Sequence, residues 1–271
     1  MAYKLVAIDL DDTLLTNEGV IIPRVKRAIR KAAEKGVYVV LSTGRTKRGA
    51  QKYYDELMLD TLLISSGGAE VHNTGGAVVF TRPVDPALTR ELLAWAYKNE
   101  IHAQVYIDGE FVYRKKNKFT EYYEILNGYP GTLMPNILAR EIVTPKVLYA
   151  VDENKITDVS MQVRKRFPML SIKRSNLMYL DFSHPDVSKG TALAFVADYY
   201  HVDSKETIAI GDTEIDIPMI EYAGLGVAVA NANAEVKKAA DIVCASNQEG
   251  GVADVIQKFI LEAEYEDQTD N

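Results

Sequence analysis

Residues 4–13 read KLVAIDLDDT, and this stretch decides the fold. Its first seven residues, 4–10, are a short apolar run that predicts a buried strand. The run ends in Asp9, Asp11 and Asp12. Three carboxylates within four residues repel one another, so a folded site there needs a compensating cation. Working outward, residues 23–35 carry Val25, Ala28, Ile29, Ala32 and Ala33 at helical spacing. Pro23 suits the first turn of that helix and Gly36 its stop. Residues 37–42 predict a second buried strand, 46–59 a helix and 61–65 a third strand. Strands alternating with helices imply βαβ units and a parallel sheet. Residues 71–80 read as a hairpin turning at 73–76.

The rhythm changes near Pro83 and Pro86. Residues 86–100 predict a helix, and 103–107 and 111–114 are strands joined by Asp108-Gly109, a hairpin signal. Residues 122–127 read as helical, 145–151 as a strand, 155–166 as a helix, and 170–173 with 178–182 as a strand pair. Helices against mostly antiparallel strands describe an α+β unit. The first rhythm returns after Pro185. Ser188 is a candidate N-cap for a helix over 189–200, and residues 207–210 form a buried strand ending at Gly211-Asp212. A helix through Met219 and Tyr222, a strand at 226–230, a short helix, a strand at 241–243 and a helix at 251–263 complete the pattern. The expected fold class is α/β: a discontinuous parallel-sheet core, residues 1–82 and 187–271, interrupted by an inserted α+β domain, residues 83–186. The acidic tail, 264–271, is expected to fray.

Composition narrows the function classes. The chain has 271 residues, 47% hydrophobic and 25% charged, which excludes collagen-like, mucin-like and disordered readings. A net charge of −7 lacks the electrostatic footprint of a nucleic-acid binder. The one cysteine, Cys244, can form neither an internal disulfide nor a cysteine-rich zinc site. No apolar stretch approaches the roughly 18 residues that span a bilayer. The N-terminal apolar run is too short for a signal peptide, so the expected location is cytoplasmic. A monomer or small homo-oligomer without membrane or nucleic-acid partners is expected.

In open α/β sheets, ligands bind beyond the carboxyl ends of the strands. The strand ends here deliver Asp9-Leu10-Asp11, then Thr43-Gly44-Arg45, then Gly211-Asp212 with Asp216 four residues on. Lys189 in the first turn of its helix opposes the helix dipole, which points to a functional demand for positive charge. Carboxylates for one hard cation, expected to be Mg²⁺, stand beside a hydroxyl and a lysine, and aspartate is a known nucleophile toward phosphorus. These residues point to phosphoryl transfer.

The motifs DLDDTLL from Asp9, LSTGR from Leu41, DVSKGTAL from Asp186 and GDTEIDIPMIEYAGLGVAVANA from Gly211 resemble those of the haloacid dehalogenase superfamily. The closest resemblance is to its Cof-type, sugar-phosphatase-like subfamily (subclass IIB), over residues 4 to about 259. It implies a Rossmann-like core with a type-two α+β cap. It also implies that Asp9 is the nucleophile and Asp11 the general acid and base. Mg²⁺ would be held by Asp9, the Asp11 backbone carbonyl and Asp212, with Asp216 supporting through water. Thr43, Lys189 and the N–H groups of Leu10 and Gly44 would bind phosphate. Arg45, Asn231 and, from the cap, Tyr106 are candidate substrate contacts, with Asp108 and Tyr113 beside the last. The basic run at residues 114–118 reads as a solvated face. The sequence departs from the family pattern at Asp12, often glycine, at Gly67, where asparagine is common, and at Thr213 and Ile215, also often asparagine. The expected function is Mg²⁺-dependent hydrolysis of a small phosphorylated metabolite through an aspartyl-phosphate. The alternatives are a phosphomutase or phosphotransferase on the same scaffold, and a weakly active phosphometabolite-binding regulatory protein.

Overall fold

A computed structural model of the chain describes residues 2–175 and 177–262, so the acidic tail at 264–271 lies outside the described residues. The chain divides into two compact units, one of residues 1–80 and 188–271, the other of residues 81–187.

The first unit opens with β1 (Leu5–Ile8), α1 (Pro23–Glu34), β2 (Tyr38–Ser42), α2 (Lys47–Leu57) and β3 (Leu63–Ser65), then β4 (Glu70–His72) and β5 (Val78–Thr81). The second contains α3 (Pro86–Lys98), β6 (His102–Ile107), β7 (Glu110–Tyr113), α4 (Lys118–Asn127), β8 (Thr132–Leu133), β9 (Lys146–Ala150), α5 (Ile156–Arg166), β10 (Ser171–Arg174) and β11 (Tyr179–Ser183). The chain then returns to the first unit with α6 (Lys189–Tyr199), β12 (Thr207–Gly211), α7 (Ile217–Tyr222), β13 (Leu225–Val229), α8 (Ala234–Ala239), β14 (Ile242–Cys244) and α9 (Gly251–Ile256).

The first unit's sheet has the order β14-β13-β12-β1-β2-β3-β4-β5. It is parallel from β14 to β3, and β4 pairs antiparallel with β3. Leu5, Val6, Ala7 and Ile8 have no exposed surface, as a strand covered by helices on both faces requires. Alternation decides which layer each meets. Val6 and Ile8 pack with Val25 and Ile29 of α1, while Leu5 and Ala7 pack with Leu193 and Val196 of α6. Helix α1 starts at Pro23 and ends at Glu34, with Lys35 as its C-cap and Gly36 left-handed at φ +81°.

The second unit's sheet has the order β10-β11-β9-β6-β7-β8, antiparallel except that β8 runs parallel to β7. The β6–β7 turn places Asp108 at φ +52° and Gly109 at φ +80°, a tight left-handed hairpin. One face of this sheet packs Val105, Val147 and Leu180 on Leu92 and Leu93 of α3 and Val163 of α5. The other packs Tyr106, Phe111, Tyr113 and Tyr179 with Tyr123 of α4. Two elements differ from the sequence reading. Helix α4 begins at Lys118, four residues earlier than expected, because Asn117 accepts hydrogen bonds from Phe119 N and Thr120 N as its cap. The two-residue strand β8 is too short to leave a periodic pattern.

Candidate active site

Ile8 of β1 pairs in register with Leu41 of β2 and Ile210 of β12, so the residues that follow leave the sheet along one edge. Asp9 continues the ladder by one bond, its N–H donating to the Ile210 carbonyl at 3.0 Å. The chain then makes a wide turn. Leu14 N donates to Asp9 O and Leu15 N to Leu10 O, while Asp11 stays extended (ψ 130°) and Asp12 turns left-handed at φ +57°. This turn leaves the Asp9 side chain buried and the Asp11 side chain half-exposed.

Lys189 enters from α6. Ser188 caps that helix, its hydroxyl accepting from Thr191 N at 3.0 Å while Thr191 Oγ1 accepts from Ser188 N at 3.0 Å. Gly68 lets the β3–β4 turn pass against this end. A Cβ there would lie 2.2 Å from Ser188 O, and the backbone sits at φ +97°. Lys189 has no exposed surface, and its Nζ donates to both Asp9 Oδ1 and Asp216 Oδ1. The other Asp216 oxygen accepts from Asp212 N at 3.1 Å, Thr213 N at 3.0 Å and Thr213 Oγ1 at 3.2 Å. Gly211 makes room for this return, since a Cβ there would fall 2.4 Å from Asp216 Cβ. Asp212 Oδ1 accepts from Thr13 Oγ1 at 3.0 Å.

Carboxylate oxygens of Asp9, Asp212 and Asp216, all buried, lie within 4.8 Å of one another. The charge balance fits a cation: three buried acids face one lysine. Burial, then the charge of Asp216, push the Asp9 carboxyl well above its usual range despite Lys189. Burial and Asp216 push Asp212 up to about 7. Burial alone would lower Lys189, yet Asp216 and Asp9 raise it, so it stays charged. A divalent ion meets the residual negative charge with hard oxygen ligands. Asp212 has an oxygen beyond its Thr13 bond, whereas the Asp216 oxygens are already held by Lys189 and by backbone N–H groups.

Thr43, fully buried at the end of β2, accepts from Arg45 N at 3.0 Å, which leaves its own hydroxyl proton to donate elsewhere. Leu10 and Gly44 stand on the same sheet edge, with Ile215 Cδ1 beside Gly44. The Arg45 guanidinium grips Asp11 through both oxygens, with Nε to Oδ2 at 2.9 Å and Nη2 to Oδ1 at 2.6 Å. Asn231, the other core candidate for a substrate contact, donates to the Asp12 carbonyl at 2.7 Å and accepts from Asn247 N at 3.0 Å.

Tyr106 is corrected as a substrate contact. It is 2% exposed, its hydroxyl accepts from Gln104 Nε2 at 3.0 Å and lies 2.7 Å from the Tyr123 hydroxyl, and its ring packs in the interior of the second unit. Tyr113 is likewise buried. In the basic run, Lys116 pairs with Glu124, Lys118 with Asp152, and Arg114 lies over the Tyr97 ring. Sequence reasoning missed Thr13 and Asn247 as partners of the site. Thr13 was open to discovery, being four residues from Asp9 in an acid-rich turn. Asn247 was not, because the Leu15 and Asn17 groups it holds lie about 230 residues away.

The chain matches the family of haloacid dehalogenase-like hydrolases over residues 6–256, and it belongs to that family. Several curated relatives are named phosphatases. A curated relative, the Bacillus subtilis 5-amino-6-(5-phospho-D-ribitylamino)uracil phosphatase YcsE, is 32% identical over 259 residues, covering 95% of this chain and 96% of its own. A haloacid dehalogenase-like hydrolase from Bacteroides thetaiotaomicron superposes with a TM-score of 0.87 at 27% identity, over 94% of this chain and 99% of that one. The subclass IIB sugar phosphatase BT4131 shares the fold, with a TM-score of 0.82 at 22% identity over 94% and 98% of the two chains. Among the described residues, no helix is long and apolar enough to cross a membrane.

Proposed function

We propose that this chain is a Mg²⁺-dependent phosphatase of small phosphorylated metabolites. The observation that carries the reading is the buried Asp9 carboxylate at the end of β1, bonded to Lys189 and grouped with Asp212 and Asp216. Asp9 attacks phosphorus in line, and the bond to the leaving oxygen breaks as an aspartyl-phosphate forms. Asp11, protonated once the Arg45 fork releases it, gives its proton to the leaving oxygen. It then takes a proton from the water that attacks phosphorus and frees Asp9. Lys189 neutralises charge on Asp9 and the phosphoryl group, while Thr43 and the N–H groups of Leu10 and Gly44 bind phosphoryl oxygens. Asp9, Asp212 and the Asp11 carbonyl would hold Mg²⁺, with Asp216 supporting them through Lys189 and water. When bound, the ion supplies positive charge to the phosphoryl oxygens. The phosphatase relative that acts on a phosphorylated ribitylaminouracil supports a small-metabolite substrate.

Release of inorganic phosphate from a panel of sugar, nucleoside and aryl phosphates tests the reading. Mg²⁺-dependent release from at least one substrate by the native chain, abolished in Asp9→Asn, is expected. Undiminished release by Asp9→Asn, or none by the native chain, overturns it.

A further inference from the structure

The segment carrying Asp11 is held by groups that no step above uses. Asn247, 3% exposed, lies in the loop between β14 and α9. Its Nδ2 donates to the Leu15 carbonyl at 2.9 Å and to Asn17 Oδ1 at 3.3 Å. Its N–H donates to Asn231 Oδ1, and Asn231 Nδ2 donates to the Asp12 carbonyl. The Asn247 loop is itself braced. Ser246 Oγ donates to Glu249 Oε2 at 2.7 Å, and Glu249 Oε2 accepts from Ser246 N at 3.1 Å. Arg24 of α1 donates from Nε to the Glu249 carbonyl at 3.1 Å and from Nη1 to Asp254 Oδ1 at 2.8 Å.

What this brace meets is left-handed backbone. Asp12 has φ +57° and ψ 6°, a left-handed backbone that costs a non-glycine residue energy, though aspartate less than most. Its neighbour is Asp11, whose carbonyl and carboxylate both depend on where the Asp12 peptide lies. Two asparagines from loops more than 200 residues along the chain hold this peptide, one directly and one through the first.

We propose that Asn247, acting through Asn231, is a positioning residue that keeps Asp12 left-handed and thereby aims Asp11. The inference rests on the acid–base reading of Asp11. A purely structural asparagine would lower stability and leave turnover by the folded protein intact. A positioning residue lowers kcat and spares KM, because binding of the phosphoryl group does not use it.

The test uses Asn247→Ala, Asn231→Ala, their combination, and Asn247→Ala with Asp12→Gly. Each is assayed on an aryl phosphate at a temperature where circular dichroism shows it folded. Amide hydrogen exchange of the peptide spanning residues 9–17 is measured in parallel. Each single substitution is expected to lower kcat about tenfold or more with KM within about threefold, since small misplacements of a reacting group are costly. The pair should lose little more than the worse single, because both act through one peptide. Exchange in residues 9–17 should quicken about tenfold in Asn247→Ala. Asp12→Gly should recover most of the kcat, because glycine takes φ +57° unaided. Native kcat and native exchange in folded Asn247→Ala overturn the proposal, as do losses that multiply in the pair. Exchange reads the brace without turnover, so an inactive native chain would count against the acid–base reading while the brace is still judged.

Discussion

At the residue scale, Lys189 is the group on which the site turns. Two carboxylates bond to it in a place with no exposed surface. Breaking a buried pair by deleting one partner costs about 3–5 kcal/mol, since the remaining charges are left without compensation. Lys189→Ala should therefore lower stability by that amount in urea unfolding and abolish phosphate release, and a stability within about 1 kcal/mol of native would contradict this. Arg45 makes a different prediction. Its fork on Asp11 orients the carboxylate that takes a proton from water without binding Asp9, so Arg45→Ala should cut kcat about tenfold while Asp11 itself remains. An unchanged kcat would show that Asp11 needs no such partner. Much of this grouping was legible in the sequence, because Asp9, Thr43, Lys189 and Asp212 each follow a strand end or open a helix. The Arg45–Asp11 pair was not, because 34 residues separate its members and Arg45 was read as a substrate contact.

At the element scale, the ends of β1, β2 and β12 and the start of α6 do the positioning. Their apolar runs and the Ser188 cap were readable, since strand burial and capping are local properties. The start of α4 was masked by lysines whose cap, Asn117, sits inside a basic run. The close approach of the β3–β4 turn to α6 was equally hidden, for it depends on packing between segments about 120 residues apart. It has a sharp consequence at Gly68. Alanine there would place Cβ 2.2 Å from the Ser188 carbonyl in a left-handed backbone. Overpacking and backbone strain together should cost about 2–4 kcal/mol and displace Lys189, read as a lowered unfolding midpoint with a lowered kcat. A neutral Gly68→Ala would mean that α6 is free to shift.

At the scale of the whole molecule, a protein of net charge −7 concentrates four acids around one sheet edge and must offset their repulsion to fold. The discontinuous core with an inserted α+β unit was legible because the βα rhythm stops and resumes, whereas nothing local revealed which acids converge. Asp212 ties the site to global stability. Its folded pKa of about 7 lies above the ordinary 3.8. Its contribution is therefore full below the ordinary value and is lost as pH rises through about 7 in cation-free protein. A bound cation takes the place of the proton, so Mg²⁺ should raise Tm more at about pH 8 than at about pH 5. An equal or smaller rise at the higher pH would contradict the placement of the ion. The central claim, that Asp9 takes the phosphoryl group before water does, is tested most directly by the steric course at phosphorus. Turnover of a chiral phosphate ester should give retention of configuration, the outcome of two in-line displacements. Inversion, the outcome of one attack by water, would contradict it.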